Sequence, residues 1–285
     1  MVYCRRECGG FKQKGLSMTF EESFEKCHTG MDTNGCWKAI ENQYNKFYLN
    51  YKGDKTQKIP KILHQIWIGG SFPDKYKVLT DRWQSMHPDW TLMLWDEQKI
   101  EEFGLANKWM YSCMKNPSAK SDVVRYEIAY SYGGVYVDTD FLCCKSFDDL
   151  LYLDMFCGTV GSYDGRLVLT EGIVPSIFGC AQGNKLIENI ILHIGQQTTI
   201  PHSIAEIMTV TGPDMFAKKV ANNIANHDLT VVFPPSYFHP FPGQRRYDIR
   251  NMTFEETKTY VTPFIYPETY AMHLCYCSWQ QPHLL

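Results

Sequence analysis

The chain has 285 residues, 44% of them hydrophobic and 21% charged, which fits a globular protein able to bury a full core. A net charge of −3, a pI near 6.3 and the lack of any Lys/Arg-rich tract argue against nucleic-acid binding or docking on an anionic membrane surface. No run of about eighteen apolar residues encodes a transmembrane helix, and no apolar core follows Arg5-Arg6 as in a signal peptide, so the expectation is a cytoplasmic protein.

The eleven cysteines are an odd number in a large chain, which points to reduced thiols rather than a disulfide framework. Cys4, Cys8, Cys27, His28 and Cys36 cluster near the start, but their spacings match no standard zinc knuckle. Asn251-Met252-Thr253 has the N-glycosylation pattern, which carries no weight without a secretory route. Residues 1–57 read as a helical accessory segment. Helical spacing runs from Phe20 to His28 and from Trp37 to Tyr51, the second with Trp37, Ile40, Tyr44 and Phe47-Tyr48 as an apolar stripe.

Residues 58–285 read as the main domain. Ile62, Leu63, Ile66, Trp67 and Ile68 form a buried first strand, ended by Gly69-Gly70 where open α/β sheets place ligands. His64 within it reads as structural. A helix over Tyr76–Met86, a strand over Thr91–Trp95, an Asp96-Glu97 cap and a helical stretch over Ile100–Lys115 follow. This alternation predicts an α/β fold with a largely parallel, twisted central sheet.

The most informative stretch is Ala119–Lys145. Ser118 is the expected N-cap of a helix in which Val124 and Ile128 share a packing face, while Asp122, Arg125 and Tyr126 converge on another. Gly133-Gly134 breaks that helix, and Val135-Tyr136-Val137 forms a buried strand ending in Asp138-Thr139-Asp140. If the strand continues through Asp140, both carboxylates share one face. Two such charges repel unless a proton or a cation intervenes. A hard divalent cation such as Mg²⁺ or Mn²⁺, completed by substrate phosphate oxygens, fits them at neutral pH.

Farther on, Phe156–Val160 reads as a strand, Leu186–Gln196 as a helix and Val231–Phe233 as a strand. Thr209–Pro213 reads as strand, turn and helix start, and Pro234–Pro242 as a loop suited to a sugar-facing wall. Tyr270–Leu274 reads as a closing strand in which His273 either approaches the metal or makes an ordinary strand hydrogen bond.

SDVVRYEIAYSYGGVYVDTD closely resembles the signature of glycosyltransferase family 32, the DXD-containing sugar transferases. IPKILHQIWIGG, HPDWTLMLWDE, VTGP and MHLCYCSW extend the resemblance, in the family's order, from Ile59 to Trp279. It implies a GT-A fold, a Rossmann-like and mostly parallel sheet with flanking helices. It also implies transfer of a hexose from a UDP- or GDP-hexose to a glycan, lipid or protein hydroxyl, with retention of configuration and with Mn²⁺ or Mg²⁺. By the same resemblance Trp67 stacks on the nucleobase beside Ile66, and Ser278-Trp279 close over the nucleotide sugar. Glu171–Val174 and Phe178–Cys180 fall where relatives shape the donor-sugar pocket. On this reading Asp140 is the direct metal ligand, with His273 near it, and Asp138 bridges metal and ribose. Asp122 and Arg125 hold the donor sugar, next to Tyr126. The rival readings are a metal-dependent phosphohydrolase, for which no second acidic or histidine cluster stands at suitable spacing, and a non-catalytic nucleotide-sugar-binding module.

Overall fold

The computed structural model describes residues 18–27, 35–160 and 172–276. Thr19 opens helix α1 (Phe20–Lys26) with a reciprocal cap: its side chain accepts from the Glu22 amide while Glu22 accepts from its own. Helix α2 (Gly35–Tyr44) runs on through a π-helical turn, Asn45–Leu49. The stripe of Trp37, Ile40, Tyr44 and Phe47 is buried, as its spacing predicts. Tyr44 packs edge-on against Phe233 and Tyr237, and the Ser23 hydroxyl donates to that of Ser236, so these helices share the main core. Cys27 is a buried free thiol; the other members of the N-terminal cluster (Cys4, Cys8, His28 and the Cys36 side chain) lie outside the described residues.

Strand β1 (Ile62–Ile66), helix α3 (Asp74–Met86) and strand β2 (Thr91–Trp95) form the first parallel crossover, with Ile62 opposite Thr91 and Ile66 opposite Trp95. Asp96 caps α4 (Glu97–Phe103), accepting from the Lys99 amide as expected. The single helix expected over Ile100–Lys115 is instead two, because Gly104 adopts φ 75° and ends α4 before α5 (Lys108–Cys113) begins. Helix α6 (Pro117–Tyr132) is capped by Asn116, not Ser118: the Asn116 side chain accepts from the Ser118 amide, and Pro117 takes the first helical position. Val124 and Ile128 are fully buried on α6, each stabilising the fold by roughly 1.5–3 kcal/mol.

The Gly133-Gly134 break leads into β3 (Gly134–Val137), parallel to β1. Gly134 has φ 98°, and a Cβ there would lie 2.5 Å from the Ile62 carbonyl oxygen, so only glycine permits this approach of the two strands. His64 sits in the same seam. Its Nε2 donates to the Gly133 carbonyl and its Nδ1 accepts from the Trp95 indole, a structural role as expected.

Strands β4 (Phe141–Cys143), β5 (Met155–Thr159) and β6 (Ile173–Cys180) follow. Pro175 concealed β6 in the sequence, since proline seldom sits inside a sheet. It is tolerated because the β5–β6 register shifts between Cys157 and Gly158, and the β3 ladder reaches only Ile177. Helix α7 (Lys185–Gly195) matches expectation, but Thr209-Val210 belongs to helix α8 (Ile204–Val210), not to a strand. Ser203 and Glu206 form a capping box at its start. Helix α9 (Pro213–Asn223) begins at the expected Gly-Pro turn. After β7 (Thr230–Phe233), residues 234–241 are buried and include helix α10 (Pro235–Phe238), so this stretch is core rather than a sugar-facing wall. Helices α11 (Arg246–Ile249) and α12 (Phe254–Val261) lead to β8 (Ala271–His273).

The main sheet has the order β2-β1-β3-β6-β5-β7, with only β6 reversed; β4 and β8 form a separate antiparallel pair. The expected α/β class with a mostly parallel central sheet and flanking helices is therefore the class observed. Among the described residues no helix is long and apolar enough to cross a membrane.

Candidate active site

The two aspartates sit in a turn, not on one face of a continuing strand. β3 ends at Val137, and Asp138-Thr139-Asp140 turns the chain into β4. The turn is held from three sides. The Asp138 amide donates to the Ser176 carbonyl (2.8 Å), the Phe141 amide donates to the Asp138 carbonyl (3.3 Å), and the Leu274 amide donates to the Asp140 carbonyl (3.0 Å). Pairing of Phe141 with His273 in the β4–β8 ladder then sets the histidine beside the second aspartate. His273 Nε2 lies 3.1 Å from Asp140 Oδ1, and the Tyr276 amide donates to Oδ2 at 2.9 Å. Cys275 takes φ 53°, unusual for a residue with a Cβ, and this turn aims the Tyr276 amide back at Asp140.

On α6, Asp122 and Arg125 converge as their spacing predicts. Arg125 Nη2 pairs with Asp122 Oδ1 at 2.9 Å and Nη1 lies 3.4 Å from Asp138 Oδ1, with Arg125 and Asp122 buried and Asp138 half-buried. The same guanidinium donates to the Pro175 carbonyl (2.9 Å) and the Ser121 carbonyl (3.3 Å), and its plane lies over the Tyr136 ring. The Tyr136 hydroxyl donates to Asp138 at 2.5 Å. Arg125 thus ties the helix, the first aspartate and the reversed strand together. Tyr126, expected beside the ligand, is instead fully buried: its hydroxyl donates to the Thr211 carbonyl and its ring stacks on Phe216, so it supports the site from behind.

These groups face a cavity of about 480 Å³, within the usual range for small-molecule sites. Asp122, Arg125, Asp138, Asp140 and His273 line it together with Ile66 and Trp67. Trp67 packs against Tyr76 (4.9 Å between centroids) and Phe72, and its indole nitrogen is buried without a hydrogen-bond partner. Val174, Pro175 and Ser176 from β6 form one wall, and Ile204, Ile207 and Met208 from α8 form an apolar one. Of these the sequence reading had named only Val174. Pro175 argues against a strand at the β6 residues, and of α8 the sequence assigns only Thr209-Val210, as strand, leaving Ile204, Ile207 and Met208 without an expectation. Ser278, Trp279 and Glu171 lie outside the described residues.

The charges are unequal. Burial pushes the Asp122 carboxyl up to about 7, outweighing the pull of Arg125. Burial also opposes the Arg125 charge, but Tyr136, Asp138 and Asp122 outweigh it and raise its pKa. Burial raises Asp138, with Arg125 pulling the other way and Asp140 adding repulsion. Asp140 is lowered despite burial, because His273 and several hydrogen bonds favour its anion. His273 is correspondingly raised well above the ordinary imidazole value, Cys275 and Asp140 overcoming burial. Asp138, Asp140 and His273 each bring one potential ligand atom to within 4.8 Å of the others. Two carboxylate oxygens and an imidazole nitrogen are a donor set that a divalent cation fits, and the repulsion between Asp138 and Asp140 favours one.

Residues 73–156 match the family described as the glycosyltransferase sugar-binding region containing the DXD motif. This stretch is similar to the DXD-containing region of glycosyltransferases. Across 217 residues the chain is 26% identical to inositol phosphoceramide mannosyltransferase 3 of Schizosaccharomyces pombe, covering 67% of this chain and 59% of that protein. It is 25% identical to the mannosyl phosphorylinositol ceramide synthase CSH1 of Saccharomyces cerevisiae over 69% of this chain and 53% of that protein. It is 26% identical to the uncharacterized glycosyltransferase L373 of Acanthamoeba polyphaga mimivirus, over 79% of this chain and 85% of that one. The chain therefore spans little more than half the length of the two fungal relatives. Among solved structures, the PaToxG glycosyltransferase aligns over 86% of this chain and 94% of its own at 13% identity, with a TM-score of 0.47. Asp138-Thr139-Asp140 is a D-x-D tripeptide inside the matched region, and Asp122 and Arg125 fall within it too.

Proposed function

We propose that the chain transfers a hexose from a UDP- or GDP-hexose to a hydroxyl acceptor, with Mn²⁺ or Mg²⁺ held by Asp138, Asp140 and His273. The observation that carries this reading is the meeting of the DXD aspartates, His273 and the buried Asp122–Arg125 pair on one cavity that Trp67 also lines. Trp67 offers an aromatic face at the cavity edge for the nucleobase, with Ile66 beside it. Asp140 and His273, with Asp138, would hold the cation at the diphosphate end of the donor, and Asp138 would also reach towards the ribose. When bound, that cation neutralises charge on the departing diphosphate. Asp122 faces the hexose and accepts from its hydroxyls when ionised. Arg125 fixes Asp122 and offsets negative charge nearby. No side chain among those lining the cavity stands out as a covalent nucleophile, so a front-face transfer with retained configuration is the reading we adopt. The fungal relatives' names point towards a lipid-borne acceptor hydroxyl, and the apolar α8 wall with exposed Ile204 accords with that.

A panel of UDP-glucose, UDP-galactose and GDP-mannose, each with Mn²⁺, tests the reading through release of nucleoside diphosphate, which needs no acceptor. We expect slow hydrolysis of at least one donor, abolished by EDTA and restored by Mn²⁺. Failure of the protein to bind UDP or GDP in the presence of Mn²⁺ would overturn it.

A further inference from the structure

Ser176 stands between the cavity and a buried histidine. It lines the cavity from β6, and its hydroxyl lies 3.0 Å from His239 Nε2 in a bond closed to solvent. His239 is only 3% exposed, and Nδ1 is left without a hydrogen-bond partner. The ring is packed edge-on against Phe141 and against β5, where a Cβ on Gly158 would come within 3.1 Å of it. A polar ring this deep has a cost of burial, and its side-chain hydrogen bond goes to a hydroxyl on the cavity wall.

A serine hydroxyl can donate one hydrogen bond and accept two. The bond to His239 uses one of these, whichever ring nitrogen carries the proton, and fixes the Oγ rotor. The remaining capacity is left for a group in the cavity that Ser176 lines. Ser176 is also placed by its backbone: its carbonyl accepts from the Asp138 amide, and the preceding Pro175 carbonyl accepts from Arg125. The charge nearby decides what it meets. Arg125 is already matched by Asp122 and Asp138, so its own charge is not free to draw a phosphate to Ser176. A neutral group rich in hydroxyls fits a site walled by carboxylates and one oriented hydroxyl.

We propose that Ser176 is a specificity-determining contact to the hexose of the bound donor, and that His239 is the positioning residue that holds its hydroxyl. This rests on the nucleotide-sugar reading above. The test is calorimetry and donor hydrolysis with Mn²⁺, comparing whichever of UDP and GDP binds the wild type with its hexose conjugate, UDP-glucose or GDP-mannose. Ser176→Ala is expected to weaken the nucleotide sugar by about 3–10-fold, the scale of one lost hydrogen bond, and to raise KM with it. Bare nucleoside diphosphate should bind within about twofold of wild type on the same grounds. His239→Gln, which can still reach the hydroxyl, should retain most of the preference for the sugar-bearing ligand, and His239→Leu should lose it. If His239→Leu does not fold, Ser176→Ala and His239→Gln still decide the matter. Unchanged nucleotide-sugar affinity in Ser176→Ala overturns the inference while leaving the function reading standing. An equal loss for the bare nucleotide shows a structural serine and also overturns it. If wild type binds neither UDP nor GDP, both readings fall together.

Discussion

Arg125→Lys separates an internal strut from a ligand contact. The guanidinium makes two ion pairs and two bonds to backbone carbonyls, and an ammonium on a flexible stem cannot hold all four. Charge-assisted bonds of this kind contribute about 1.5–3 kcal/mol each, and leaving a buried ionised partner unmatched costs about 3–5 kcal/mol. These figures overlap rather than add, so the expected loss is about 3 kcal/mol for the lysine variant. At this chain length that is roughly 6 °C in Tm, at about 2 °C per kcal/mol. The assay is thermal and urea unfolding without ligand at pH 8, above the Asp122 pKa of about 7, so that the carboxylate is ionised. Mn²⁺ affinity should also fall, because Arg125 braces both Asp138 and the β6 carbonyl next to Ser176. A variant with wild-type Tm that has lost nucleotide-sugar binding would refute the strut and make Arg125 a direct contact.

Asp140→Ala and His273→Ala should each remove the rise in Tm that Mn²⁺ gives wild type; a full Mn²⁺ shift in either variant would dismiss that ligand. Trp67→Ala should weaken nucleoside diphosphate binding by about 1–3 kcal/mol, with Trp67→Phe recovering part, and an unchanged affinity would place Trp67 in the core alone. His64 is held neutral, its pKa lowered from 6.5 to about 4 by burial. Below pH 6.5 the unfolded chain takes up a proton that the folded one refuses, so stability falls by about 1.4 kcal/mol per pH unit down to about pH 4. The total is about 3 kcal/mol. In His64→Gln that share of the slope should vanish from denaturation midpoints measured between pH 7 and pH 4.

What the sequence made legible was local. The α6–β3 unit could be read because its signals lie within a few residues of one another: apolar spacing, a glycine pair, a β-branched run and two aspartates. Asp122 and Arg125 converge because a helix puts residues three apart on one face. Tyr126 misled for the same reason. Helical spacing predicts proximity but does not say which neighbour faces a cavity and which faces Phe216. β6 was lost because Pro175 argues against a strand, and the bulge that excuses it belongs to the pairing with β5, which no single segment encodes. α8 is not evident because Thr209-Val210 reads as strand, while its helical start comes from the Ser203–Glu206 capping box.

The metal group shows most clearly what pairing adds. Asp138 and Asp140 are two residues apart, but His273 joins them only through the antiparallel register that sets it opposite Phe141. A two-residue slip of β8 would keep every side chain on its present face and still carry His273 out of reach of Asp140. Burial of Leu142 opposite Met272 and of Cys143 opposite Ala271 defines which face packs, but does not by itself exclude that slip. The exclusion comes from contacts specific to this register. His273 stacks on Phe141 with ring centroids 4.5 Å apart and planes within 2°, and the Leu274 amide bonds the Asp140 carbonyl. Beyond it the left-handed turn at Cys275 returns the Tyr276 amide to the same carboxylate. The second aspartate is therefore a register mark for the closing strand as well as a ligand. An alanine there removes two hydrogen bonds that hold β8's end, so Asp140→Ala should loosen residues 274–276 even without metal. Faster amide exchange at Tyr276, with exchange at Leu142 unchanged, would show that coupling directly.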